Sequence, residues 1–257
     1  MTRPILILGG TQDARQLAAR LADRPDLSVL LSLAGRTEHP APQPVPVRSG
    51  GFGGAEGLAD FLRTHGTCAV IDATHPYAAN ISRNAASACA ATGVPLLALG
   101  RPAWEAQEGD RWREVPDVAA AVDALGAAPR RVFLALGRNE VRAFEAAPQH
   151  AYVVRSVDSI TPPLAVPTAE YILARGPFTE ADDRTLLAAR SIDIIVAKNS
   201  GGTATYGKIA AARALGIEVV MLRRPPLPDV ARVSDADAAV AWLDARLHPA
   251  ARAERGE

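Results

Sequence analysis

The densest group of polar side chains in the sequence is Asp72-Ala73-Thr74-His75-Pro76-Tyr77-Ala78, followed closely by Asn80 and Ser82. An imidazole and a phenol two residues apart can give protons or hydrogen bonds to a bound molecule, which makes His75 and Tyr77 the candidate proton donors. Asp72 and Thr74 carry short oxygen-bearing side chains of the kind that cap the start of a helix. A second group is Leu8-Gly9-Gly10-Thr11-Gln12-Asp13-Ala14, where an apolar run ends in two glycines and a helical pattern begins. Bare backbone N–H groups and the positive end of a helix dipole favour phosphate at such a turn, so Gly9, Gly10 and Thr11 are candidates to cradle a diphosphate. The turn departs from the fingerprint G-x-G-x-x-G, because Thr11 and Ala14 stand where glycines belong if Gly9 is the first. The next apolar run ends in Ala34-Gly35-Arg36-Thr37, with no acidic residue placed to hold a ribose 2′-hydroxyl. A cation and a hydroxyl suit a 2′-phosphate, so Arg36 and Thr37 point to NADPH rather than NADH.

A third group runs Lys198-Asn199-Ser200-Gly201-Gly202-Thr203-Ala204-Thr205-Tyr206-Gly207-Lys208-Ile209. Gly202 to Lys208 satisfies G-x-x-x-x-G-K, yet Ile209 stands where a phosphate-binding loop needs Ser or Thr to hold magnesium. The segment reads as a polar anion-binding loop, with Lys198, Ser200, Tyr206 and Lys208 available to a phosphate or carboxylate. Arginines recur at expected strand ends: Arg101, Arg138, Arg155, Arg175 and the pair Arg223-Arg224. Ligands of open α/β sheets bind beyond those ends, so the recurrence predicts a ligand with several acid groups, about half of these arginines being structural partners instead. Cys68 and Cys89 are the only cysteines and have no ligand-like spacing, and nothing resembles a nucleophile elbow. The chemistry therefore rests with a cofactor, and no metal is expected.

The elements that must position these groups follow an alternating βα pattern, which predicts an α/β fold with mainly parallel sheets. Strands are expected at residues 5–8, 27–33, 69–71 and 96–99, and again at 132–135, 152–155, 171–174, 192–197 and 218–222. Helices are expected at 13–22, 55–65, 78–91, 118–125, 140–146, 180–189, 206–215 and 235–247. The stretch 104–113 has little periodicity and separates a first domain, 1–100, from a second, 101–248, with 249–257 as a solvated tail. Two long loops, 36–54 rich in Pro and Gly and 158–168 with three prolines, are candidate walls or lids of a binding site. With 257 residues and 48% hydrophobic content the chain can bury two cores. A formal net charge of zero gives no global basic field for nucleic acid or a membrane surface. No window approaches the roughly 18 apolar residues of a spanning helix, so the expectation is a cytoplasmic protein.

Taken in order, Gly9-Gly10-Thr11 with Asp13-Ala14, the glycine loop Ser49–Gly54, Asp72 to Ala78, Arg101-Pro102 with Trp104, and Lys198 to Gly202 with Gly207-Lys208 resemble the precorrin-6A reductase family. The resemblance spans Leu6 to about Pro225. It implies two Rossmann-like lobes with a cleft between them, and reduction of the C18–C19 double bond of precorrin-6A to precorrin-6B in cobalamin biosynthesis. A macrocycle with many acetate and propionate arms agrees with the recurring arginines. On this view NADPH is the cofactor, held by Gly9, Gly10, Thr11, Arg36, Thr37, Thr74 and Pro76, with His75 and Tyr77 catalytic. Asn80, Ser82, Arg101, Arg138, Arg175, Lys198, Asn199, Ser200, Gly201, Gly202, Tyr206 and Lys208 then meet the tetrapyrrole; the sequence leaves the oligomeric state open, a monomer being compatible with it. The cobalt-containing form of the substrate, a nucleotide-dependent kinase or ATPase, and a catalytically silent dinucleotide sensor stay open as alternatives.

Overall fold

Continuous apolar runs make strands that are covered on both faces, the pattern of a buried parallel sheet. In the computed structural model, which describes residues 2–35 and 41–247, such runs build two sheets in two units. The first unit holds the residues up to Arg101 and those from Pro225 onward, and the second holds Pro102–Arg224. The chain passes through β1 (Arg3–Leu8), α1 (Gln12–Leu21), β2 (Leu27–Leu33), β3 (Val47–Ser49), α2 (Gly54–Thr64), β4 (Ala69–Asp72), α3 (Ala79–Thr92) and β5 (Leu96–Leu99). It continues through β6 (Trp112–Val115), α4 (Val118–Ala124), β7 (Arg131–Ala135), a short 3-10 helix (Val141–Ala146), β8 (Ala151–Ser156), β9 (Ala169–Leu173), α5 (Glu180–Ala189), β10 (Ile194–Lys198), α6 (Gly207–Leu215) and β11 (Glu218–Leu222). It ends with β12 (Arg232–Val233) and α7 (Ala236–Leu247).

The first sheet runs β3-β2-β1-β4-β5-β12 and the second β9-β8-β7-β10-β11-β6, with parallel pairing throughout. Both follow the strand order of dinucleotide-binding folds, with β7 taking the place of β1. The sixth position is filled differently. After β5 the chain leaves for the second unit and lays β6 beside β11; after β11 it returns and lays β12 beside β5. The second unit therefore ends at Arg224 rather than near residue 248, which differs from the expected continuous division. The reason is that α7 has its apolar partners in the first unit: Ala239 and Leu243 pack with Leu17, Leu21 and Leu31. Ion pairs from Arg20 to Asp237 and from Arg24 to Asp244 hold the same helix. The expected tail, 249–257, lies outside the described residues.

Alternation along each strand sends side chains to opposite faces. On β1, Ile5 and Ile7 join Leu17, Leu21 and Leu243 under α1 and α7, while Leu6 and Leu8 join Leu58, Leu62 and Ala85 under α2 and α3. In the second sheet Phe133, Ile195, Val219 and Met221 meet Leu187, Ile209 and Ala212 of α5 and α6. Three short strands that the apolar pattern does not announce, β3, β6 and β12, lie at sheet edges. The segment 140–146, expected as an α-helix, is 3-10. No helix among the described residues is long and apolar enough to cross a membrane.

Candidate active site

In the first sheet the strand order reverses between β1 and β4, so their carboxyl ends flank the crevice in which folds of this kind take ligands. Leu8 and Asp72 are in register at that point. The two loops that leave them are tied: the Thr11 hydroxyl donates to the carbonyl of Ala73 at 2.7 Å. The same oxygen accepts from the Ala14 N–H at 3.1 Å and caps α1. One side chain thus starts the helix and sets the neighbouring loop. Gly10 has a φ of +108°, a left-handed conformation, and open space where a Cβ would stand. At Gly9 a Cβ would lie 2.5 Å from Leu31 Cδ1, so this glycine lets the turn close onto β2. The first-turn N–H groups of a helix lack intrahelical partners, and here they adjoin a turn bare of side chains. A diphosphate fits such a turn. Asp13 in that first turn is paired with Arg101 at 2.7 Å, which offsets its repulsion of an incoming anion.

Beyond β4, Asp72 does not cap α3. Its Oδ1 accepts from the Thr74 N–H at 3.1 Å and from the Thr74 hydroxyl at 2.6 Å, while α3 starts after Ala78 with no side-chain cap. The Tyr77 N–H donates to His75 Nδ1 at 3.3 Å, and the two rings lie 5.6 Å apart. Because that bond uses Nδ1 as an acceptor, the neutral imidazole keeps its proton on Nε2. His75, Tyr77 and Thr74 are half-buried and Pro76 is buried. Asn80 and Ser82 part company: Asn80 is exposed and its amide oxygen accepts from Arg83, whereas Ser82 is buried on the inward face of α3 with Ala85 and Cys89.

Arg36 and Thr37 lie outside the described residues. A cation that sequence reasoning missed is Arg48 in β3, the strand paired with β2. Its Nη1 donates to Ser32 Oγ at 2.8 Å and to the Gly50 carbonyl at 3.0 Å, and its Nη2 donates to the Gly51 carbonyl at 3.0 Å. The guanidinium stacks 3.9 Å from the centre of the Phe52 ring, and burial lowers its pKa. Arg48 therefore braces the glycine loop at the ends of β2 and β3. Its signal in the sequence is an Arg two residues before Gly50-Gly51-Phe52, visible only once β3 is known to be a strand.

The second sheet reverses order between β7 and β10. Here the glycine turn is filled from within. Glu140 Oε2 accepts from the Gly137 N–H at 2.8 Å, and Glu140 Oε1 meets Lys198 Nζ at 2.5 Å. Arg138 lies 3.6 Å from Asp158. Asn199 is buried and clamps the backbone of Trp104, accepting from its N–H at 2.7 Å and donating to its carbonyl at 2.8 Å. Trp104 Nε1 in turn donates to the Gly202 carbonyl at 2.7 Å. Gly201 and Gly202 both have positive φ, and Ser200 closes a turn with its N–H on the Lys198 carbonyl. The Tyr206 hydroxyl accepts from Arg213 at 2.6 Å, and its ring packs edge-on against Trp104.

Lys208 does not face solvent. It is 3% exposed and its ammonium donates to the Thr205 carbonyl at 2.6 Å, a placement unlike that of a phosphate-binding-loop lysine. Burial, then the nearby Arg155, push its pKa down to about 7. Arg155 is itself buried, paired with Asp183 and stacked on Phe178, and is structural. Arg175 is exposed after β9. The fold thus gathers Gly9, Gly10, Thr11, Thr74, His75, Tyr77 and Arg101 at one crevice, and Lys198, Arg138 and the Asn199–Gly202 loop around another. Among the described residues no group of His, Cys, Asp or Glu is arranged to hold a metal.

Comparison with known proteins gives the relatives of this chain. The family described as precorrin-6x reductase CbiJ/CobK matches residues 4–244. A precorrin-6A reductase from a Sinorhizobium species is 58% identical, covering 97% of this chain and 96% of its own. A solved structure titled "CobK precorrin-6A reductase" superposes with a TM-score of 0.90 at 49% identity, covering 96% of this chain and 97% of its own. A cobalt-precorrin-6A reductase from Priestia megaterium is 29% identical, covering 87% of this chain and 91% of its own.

Proposed function

The chain belongs to the precorrin-6x reductase family, and from that premise we propose that it reduces the C18–C19 double bond of precorrin-6A with NADPH, giving precorrin-6B. Its reaction is an oxidoreduction at a CH–CH bond. The observation that carries the substrate is the 58% identity along nearly the whole chain to a precorrin-6A reductase, against 29% to a cobalt-precorrin-6A reductase, which favours the metal-free macrocycle.

NADPH supplies the hydride when bound. Gly9, Gly10 and Thr11 hold its diphosphate, a role supported by the bare left-handed turn at the positive end of α1. Arg101 keeps Asp13 from repelling that diphosphate, and Arg36, Thr37 and the Arg48-braced loop take the adenosine end with its 2′-phosphate. The Thr11–Ala73 hydrogen bond sets the Thr74–Tyr77 loop, with Pro76, beside the place of reaction. Reduction of a C–C double bond also needs a proton. His75 is the first donor, acting from its imidazolium form, in which Nδ1 no longer accepts from the Tyr77 N–H, and Tyr77 is the second. Lys198, Arg138 and Arg175 receive carboxylate arms of the macrocycle. Asn199, Gly202, Tyr206 and Lys208 shape the loop that carries Lys198 and Ser200, supported by their bonds to Trp104, Arg213 and Thr205.

The test is to mix the purified protein with precorrin-6A and either NADPH or NADH and follow the macrocycle's absorbance. Turnover with NADPH at a clearly lower KM than with NADH is expected. A spectrum unchanged by either cofactor would falsify the proposal.

A further inference from the structure

The Gly137 N–H and the Lys198 ammonium converge on the two oxygens of a single carboxylate, that of Glu140. The carboxylate sits directly on the turn: a Cβ at Gly137 would lie 2.8 Å from Glu140 Oε2. A backbone donor and a cation matched to both oxygens of one acid group make a carboxylate site, and the protein fills it with its own side chain. Phosphate is the poorer occupant here, because the segment that follows is a six-residue 3-10 helix and brings no long helix dipole to the turn. The pair is reachable from solvent, with side-chain exposures of 16% for Lys198 and 30% for Glu140.

Building on the functional reading above, we propose that Glu140 is an internal competitor for a substrate carboxylate: an acid arm of the macrocycle takes the Gly137 N–H and Lys198 when it binds, and Glu140 returns when it leaves. Substrate and product carry the same acid arms, since the reaction changes only a ring C–C bond. Contacts to the arms alone would hold both equally. A tethered carboxylate that reoccupies the site lowers the affinity for each and favours release of product, which makes Glu140 a release residue rather than a catalytic one.

The experiment titrates uroporphyrin, an eight-carboxylate macrocycle, into the full-length wild type and the variants Glu140→Gln, Glu140→Ala and Glu145→Gln, reading fluorescence at several salt concentrations. Glu145 is the control, because it lies on the 3-10 helix that follows Glu140, is bound to Arg142 and to the Ala165 N–H, and its replacement makes the same change in net charge. Both Glu140 variants should bind the probe about fivefold more tightly than wild type, with steeper salt dependence, while Glu145→Gln stays within about twofold. Unchanged or weaker binding in Glu140→Gln, or equal tightening in Glu145→Gln, overturns the proposal. Glu140→Gln preserves size and an acceptor for Gly137, so it decides the matter if the alanine variant is unstable. Absence of reductase turnover in the wild type strikes the functional reading instead, and the probe titration judges Glu140 independently of it.

Discussion

The two units share a strand order, but the turns after β1 and β7, which hold the same place in it, are built differently. In the first unit Gly9-Gly10-Thr11 opens a full α-helix, and the only acid in its first turn, Asp13, is taken up by Arg101. In the second unit Gly137 opens a short 3-10 helix, and Glu140 folds back to fill the turn. The strand across each crevice matches its turn: β4 ends in Asp72, which binds Thr74, whereas β10 ends in Lys198, which binds Glu140. The difference teaches that topology offers the same crevice twice, while a few side chains leave one turn bare and fill the other with a carboxylate of the chain itself.

The comparison is broken most strongly by removing Asp183. That leaves the Arg155 guanidinium buried without its acid, at a cost of about 3–5 kcal/mol. Denaturant melts of Asp183→Ala should show this loss, while NADPH affinity measured below the transition stays at the wild-type value because the cofactor turn lies in the other unit. Next in size is the pH dependence carried by Lys208. Its folded pKa near 7 lies below that of an unfolded lysine, so between pH 7 and about 10 the unfolded chain binds more protons and stability rises with pH. Relative to Lys208→Met, the wild type should gain at most about 1.4 kcal/mol per pH unit over that window and nothing below it. Equal pH slopes in the two proteins would remove the depressed lysine from the account.

Gly10→Ala sharpens the comparison from the other side. A side chain at a φ of +108° costs at least about 1 kcal/mol and projects into the space assigned to the diphosphate, so the NADPH Kd should rise about tenfold. The smallest effect is expected from Arg101→Ala, which leaves Asp13 facing the cofactor: KM for NADPH should rise about fivefold with kcat little changed. The double variant Asp13→Asn with Arg101→Ala should recover most of that loss if neutralisation is the role of Arg101.

Sequence and structure agree where burial is two-sided. Strands β2, β5 and β11 match the expected limits because their runs are largely apolar, Leu96–Leu99 on both faces. The strands that escaped notice, with sequences such as Trp112-Arg113-Glu114-Val115 and Arg232-Val233, each have one neighbour and an open side, so no apolar period marks them. The segment 141–146 has helix-forming residues, yet it is only six residues long, and the tighter 3-10 form is the one used in short pieces. At the β1–β4 crevice the turns formed by Gly9 to Thr11 and Thr74 to Tyr77 are legible as turns, because their residue types make local bonds. Asn199 and Lys208 looked like ligand groups because a sequence displays polarity and not direction; one points at Trp104, 95 positions away in the chain, and the other inward to the Thr205 carbonyl. Arg48 and Glu140 carry no such mark, since their backbone partners lie two or three residues off in turns that no polarity pattern announces, and their distant side-chain partners, Ser32 and Lys198, are brought near only by the fold.

A crystal structure of the full-length protein grown with NADPH tests the contrast between the two turns most directly. The diphosphate should lie on the N–H groups of Gly9 to Thr11, with Glu140 still bound to Gly137 and Lys198. A dinucleotide seated on the Gly137 turn, with Glu140 displaced and Gly9-Gly10 empty, would contradict it.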